Sequence, residues 1–147
     1  MKFNKEILKT VLTALLAIAL LTTCNDGKKD PGIEETGWEV VNLQNYEYSM
    51  TYVTQIAFDN VISANVLTEL GAFVGDVCRG KANLSFEPAL NIYLCHLTIY
   101  SQVVSGEQIT LKAYNPDTKK IYTNCGTLQF QSNASVGSAG GVLYCLP

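Results

Sequence analysis

The stretch from Tyr48 to Phe58 constrains the fold more than any other part of the chain. Tyr48, Met50, Tyr52, Thr54, Ile56 and Phe58 alternate with Ser49, Thr51, Val53, Gln55 and Ala57. A period of two puts the first, greasier set on one face of a pleated strand. The same pattern returns along the chain. Gly71 to Asn83 reads as one long extended stretch, Asn91 to Tyr100 as its return strand, and Ile109, Leu111 and Ala113 as inward residues between outward Thr110, Lys112 and Tyr114. Short strands follow at Lys119–Thr123, around Leu128 and Phe130, and at Val142–Leu146. Turn clusters separate them at Asp59-Asn60, Phe86-Glu87-Pro88-Ala89, Ser105-Gly106-Glu107 and Asn115-Pro116-Asp117-Thr118. No helical stripe of useful length competes. The prediction is an all-β domain of 7–9 strands, folded as a two-sheet antiparallel β-sandwich of immunoglobulin-like (Ig-like) type.

The N-terminus predicts export. Lys2, Lys5 and Lys9 precede an apolar run from Val11 to Leu21, too short to span a bilayer but suited to the core of a secretory signal. Leu21-Thr22-Thr23-Cys24 resembles the bacterial lipobox. That resemblance implies cleavage of residues 1–23 and lipidation of Cys24; the alternative is an ordinary signal with a cysteine beside it. Several acyl chains together give stable anchoring where a single chain is marginal. Asn25 stands where an inner-membrane retention aspartate would stand, so the expected destination is the outer membrane, on either face. Residues 24–36 hold no aromatic residue and read as a lipidated cysteine followed by a solvated tether. The folded domain is expected over 37–147.

Losing residues 1–23 removes three lysines and Glu6, which leaves 7 basic and 12 acidic residues and a net charge of about −5. The only basic runs are Lys28-Lys29 and Lys119-Lys120. Nucleic acid is therefore not an expected partner, since its binding needs a clustered positive face.

With Cys24 lipidated, Cys78, Cys95, Cys125 and Cys145 remain. An even number in an exported domain predicts two disulfides. A hairpin turning near residues 86 and 87 would set Cys78 opposite Cys95, and a hairpin through the Gly- and Ser-rich segment 132–141 would bring Cys125 toward Cys145. Buried free thiols are the alternative.

The segment Gly75-Asp76-Val77-Cys78-Arg79-Gly80-Lys81-Ala82 lies one residue from a nucleotide-binding P-loop. Ala82 lacks the hydroxyl that would complete a magnesium shell, and the residues that follow contain Pro88 and no helical stripe. Nucleotide binding is not expected. The glycines read instead as strand-end or bulge positions, with a bulge at Gly75 and Arg79 pointing outward or pairing with Asp76 or Glu69.

A resemblance accounts for the motif better. Trp38, Val40, Tyr48-Ser49-Met50-Thr51, Leu70 to Gly80, Leu97 to Tyr100, Gly106-Glu107, Tyr114 to Tyr122 and Val136-Gly137-Ser138 occur in the order of a β-sandwich module of Bacteroidota surface and secreted proteins, which the chain resembles over nearly the whole domain. The module carries a Leu-Gly-Ala-Phe-Val-Gly-x-x-Cys-Arg-Gly core. Lys119 replaces its usual turn glycine, and Cys95, Cys125 and Cys145 stand outside its pattern. The resemblance implies fold and location more than activity.

Catalytic groups are sparse. His96 is the only histidine, and the carboxylates are spread over separate turns, so the expectation is a protein that is not an enzyme. Asp59, Asn60 and Asp117 have oxygens for calcium but no ligand spacing, and no metal or other cofactor is expected. Tyr100, Tyr114 and Tyr122 are expected to lie outward near one another, with Arg79 as a further candidate ligand-binding residue, in a patch able to stack on sugars or hold a protein. Two roles follow as expectations. One is a lipid-anchored binding module that contacts a glycan or a surface protein. The other is an assembly subunit that pairs through a sheet edge.

Overall fold

The computed structural model describes residues 36–147. The expected signal peptide, Cys24 and nearly all of the expected tether lie outside the described residues.

The domain is all-β. Its strands are β1 (Tyr48–Phe58), β2 (Val61–Ile62), β3 (Glu69–Val74), β4 (Val77–Glu87), β5 (Ile92–Ser101), β6 (Ser105–Asn115), β7 (Lys120–Gln131) and β8 (Ser135–Cys145). Eight strands fall within the expected range. Their ladders join them into one strongly curled sheet instead of two separate layers. Nor is it wholly antiparallel, because β8 runs parallel to β1.

Around the curl the order is β8, β1, β5, β4, β3, β6, β7. The short β2 extends the β5 side of β1, since Ala57 and Phe58 pair with β2 on one edge and with β8 on the other. The predicted faces of β1 hold: Met50, Thr54, Ile56 and Phe58 are buried, and Tyr48 and Tyr52 pack against the core. Ile109, Leu111 and Ala113 point inward as expected.

Three sequence expectations change. The stretch from Gly71 to Asn83 is not one strand. Gly75 and Asp76 form a two-residue turn between Val74 and Val77, which pair with each other. Gly75 supplies the left-handed φ of 58° that this turn requires, so it is a turn residue and not a bulge. Next, the hairpin through Pro88 turns later than expected, over residues 88–91, with Glu87 facing Ile92. Finally, Lys120 to Gln131 is one long strand, after which the chain leaves β6 and joins β1.

The later turn removes the basis for one disulfide. Leu84, not Cys78, faces Cys95, and Cys78 faces Phe73 on the other neighbour of β4. Cys78 and Cys95 are buried free thiols, with Sγ atoms 3.5 and 3.7 Å from the carbonyls of Gly80 and Ala82. Burial pushes the Cys95 thiol up to about 12. Cys125–Cys145 does form, but not through a hairpin over residues 132–141, since Ser135 to Cys145 is one strand paired parallel to β1. The disulfide joins β7 to β8 beside the bridge between Asn124 and Leu146.

Before β1, residues 36–47 form a strap on the outer face of β3. Thr36 donates a hydrogen bond to Glu69 at the start of β3. The Trp38 ring packs edge-on against Phe73, 5.3 Å between centroids. Gly71 makes the seat, because a Cβ there would come within 2.6 Å of the Phe73 ring and 2.8 Å of the indole. After the 3-10 turn Leu43–Asn45, Tyr46 reaches the opposite end of the sheet.

Candidate functional site

At that opposite end, two β-bulges aim two charged side chains at each other. On β4, Cys78 pairs with Phe73 and Gly80 with Ala72, so Arg79 is the extra residue. On β6, the register shift between Ser105 and Gln108 leaves Gly106 and Glu107 unpaired in the ladder, with Gly106 at φ 89°. A bulge re-aims its side chain and bends its strand. Arg79 Nη2 and Glu107 Oε1 meet at 2.9 Å, with the side chains only 11% and 18% exposed. The Ser101 hydroxyl donates to Glu107 Oε2 at 2.6 Å and accepts the Val103 N–H at 3.1 Å. Arg79 therefore pairs with Glu107, neither with Asp76 nor with Glu69. Glu69 instead receives Lys81, 3.6 Å away.

Two tyrosines complete the cluster. The Arg79 guanidinium lies 4.8 Å from the centroid of the Tyr46 ring, a cation–π contact. Tyr46 in turn stacks on Tyr100 of β5, 6.4 Å between centroids and 29° between planes. Both tyrosines are half-buried. Among the described residues, Arg79 uses only Nη2 in a hydrogen bond, and Nε and Nη1 are buried without a partner. Such orphan donors ordinarily cost about 1–3 kcal/mol each and call for an explanation. The site thus offers two stackable rings, two phenolic hydroxyls and an arginine fixed behind them. It suits binding.

The predicted tyrosine patch does not form. Tyr100 belongs to this cluster, but Tyr122 is a core residue, 3% exposed and packed on Phe58. Its hydroxyl donates to Asp59 Oδ2 at 2.9 Å, and that hydrogen bond chiefly raises its pKa. Tyr114 lies opposite Glu69, where Thr36 lands, and is also buried. Alternation puts Tyr114 on the outer face, as observed, but gives no sign that the strap covers that face. Sequence reasoning misses Tyr46 because it precedes the first strand, and Glu107 because it reads as a turn residue.

The P-loop-like segment is a β-hairpin with no helix after it. The other candidates stay apart from the tyrosine cluster. His96 is exposed opposite Val53. Asp59 accepts Tyr122, and Asp117 accepts Asn65 Nδ2 at 2.8 Å. A small cavity of about 120 Å³ lies beside Asp117, lined also by Phe58, Val61, Ile62 and Asn115. Among the described residues, no three His, Cys, Asp or Glu side chains converge to hold a metal. No family model, no curated protein and no solved structure matches this chain.

Proposed function

We propose that the chain is a lipid-anchored, non-catalytic binding module of the outer membrane that contacts a glycan or a protein through Tyr46, Tyr100 and Arg79. The observation that carries this reading is the stacked, half-exposed tyrosine pair held over a part-buried Arg79–Glu107 ion pair. Aromatic rings anchored this way present rigid contact area at little cost in conformational entropy. The lipobox-like Leu21 to Cys24 and the Cys125–Cys145 disulfide support an extracytoplasmic setting. We also read the curled sheet as a variant of the sandwich module that the sequence resembles, with the corner in β4 marking where the two layers would part.

The test is a binding screen of the full chain in detergent against a glycan array and an outer-membrane extract. A ligand bound at this site loses about tenfold in affinity, or ~1.4 kcal/mol, when Tyr100→Ala removes one ring. A ligand indifferent to both Tyr100→Ala and Tyr46→Ala overturns the reading.

The open seam favours the second role. Beyond one bridge to Leu146, the outer edge of β7 carries no ladder, and β8 pairs only with β1 among the described strands. A partner that adds a strand there binds unchanged after Tyr100→Ala.

A further inference from the structure

The two ends of the sheet differ in what they expose. One end collects the close of β1, β4, β6 and β8 and the start of β3, β5 and β7. Among the described residues, nine of the fourteen exposed large apolar side chains lie at this end, including Val61, Ile62, Leu67, Phe86, Leu90 and Tyr144. They form a rim that touches every part of the curl. The far end and the strap carry only aliphatic residues of this kind, four valines and one leucine. Exposed apolar residues scattered singly need no explanation, but a concentration at one end does.

The described chain begins at this same end, where Thr36 bonds to Glu69. Eleven residues separate Cys24 from Thr36, a reach of at most about 40 Å. A domain on so short a leash meets the bilayer with this end more readily than with the other. The rim's carboxylates each accept a local hydrogen bond, Asp59 from Tyr122, Asp117 from Asn65 and Glu87 from the Ala89 N–H, while Asp59 and Asp117 stay exposed. Among the described residues, Lys119 and Lys120 of the same rim enter no ion pair. Lysines beside apolar and aromatic residues are what an interface of lipid phosphates and acyl chains accommodates.

We propose that this rim docks on the lipid bilayer, with Phe86 and Leu90 of the β4–β5 hairpin entering the interface and Lys119 and Lys120 meeting lipid phosphates. The proposal rests on the reading of Cys24 as an anchor. It holds the Tyr46–Tyr100 face at the end remote from the membrane, where a ligand can reach it.

The test compares the full chain carrying Leu90→Trp with one carrying Val104→Trp, which lies at the far end. Both are reconstituted in phosphatidylethanolamine–phosphatidylglycerol vesicles whose acyl chains are brominated. Leu90→Trp is expected to lose emission about two-fold relative to unbrominated vesicles, as a side chain within the interface would; Val104→Trp and the parent chain, with Trp38 alone, are expected to change little. Equal quenching at both positions, or none at Leu90→Trp, overturns the proposal. A lipid-free blue shift at Leu90→Trp that grows with protein concentration overturns it in favour of a second copy of the chain. The mass of the Cys24 peptide reports the anchor separately. Absence of acyl chains removes the anchoring reading, whereas the rim proposal is decided by the quenching and blue-shift outcomes at Leu90→Trp.

Discussion

The sheet turns back on itself in two places, and it does so by opposite means. At β4 the turn is continuous. The first half of the strand pairs with β3 and the second half with β5. Gly80 sits at the corner, where a Cβ would come 2.1 Å from the Thr98 carbonyl oxygen. At the β7–β8 seam the turn is interrupted. One bridge and one disulfide do what a ladder does elsewhere. Backbone proximity closes the first corner, so it depends on the absence of a side chain. A covalent bond closes the second, so it depends on the redox state. The same problem of curvature has thus been solved once in the main chain and once in the side chains.

Breaking each closure separately sharpens the contrast. Gly80→Ala forces the corner apart and is expected to cost about 3 kcal/mol or more, at the upper end of overpacking effects; urea denaturation measures it, and a cost below about 1 kcal/mol would show that backbone proximity does not hold the corner. Paired replacement Cys125→Ala and Cys145→Ala is expected to cost about 3 kcal/mol through the lost constraint on the unfolded chain, and to raise hydrogen exchange along β7 and β8 before β4. Glu107→Gln removes the charge opposite part-buried Arg79 and is expected to cost about 2 kcal/mol, with the loss measured by the same denaturation curves.

The buried thiol gives the corner a pH signature. Cys95 holds its proton up to about 12 in the fold, while an unfolded thiol releases it near its ordinary value of about 8.5. Above that value the unfolded state binds fewer protons, so stability falls as pH rises through the window between the two. Thermal unfolding from pH 8 to 11 checks this, and Cys95→Ala is expected to flatten the slope. The smallest effect belongs to Lys119, whose φ of 55° is left-handed. Lys119→Gly trades that strain for chain entropy and is expected to stabilise by roughly 0.5 kcal/mol.

Much of this architecture is legible in the sequence and some is not, for definable reasons. The faces of β1 and β6 follow from alternation, because a half-buried strand has no other way to satisfy both water and core. The partner of Cys125 is as expected but its route is not, because residues 132–141 form no hairpin and most of them belong to β8, parallel to β1. The state of Cys95 is not legible, because a hairpin register depends on where its turn sits, and Pro88 fixes only that a turn is near. Residues 88–91 form it, which moves Cys78 out of reach. The Gly75-Asp76 turn is hidden when the glycines of the P-loop-like segment are taken together, although they act separately. Gly75 turns the chain, and Gly80 lets two backbones meet. The candidate site is half visible. Tyr100 and Arg79 carry signals in their strands. Tyr46 and Glu107 do not, since a strap has no periodicity and Gly106-Glu107 reads as a turn; Arg79 also sits in a bulge and is visible only through the glycine-bracketed motif around it.

The strap also decides how the domain responds to a pull. A load applied from the N-terminal side of Thr36 enters the fold at the end of the sheet where β1 finishes, yet β1 begins at the other end. The force therefore meets the strap's contacts in series. The Thr36–Glu69 hydrogen bond gives way first, the Trp38 ring lifts from its glycine seat next, and Tyr46 comes off Arg79 last. Only then is β1 loaded, and it is held by ladders to β5 on one edge and β8 on the other. The strap already runs from one end of the sheet to the other, so its detachment adds little length, and a tug is met by these contacts before it can reach the curled sheet.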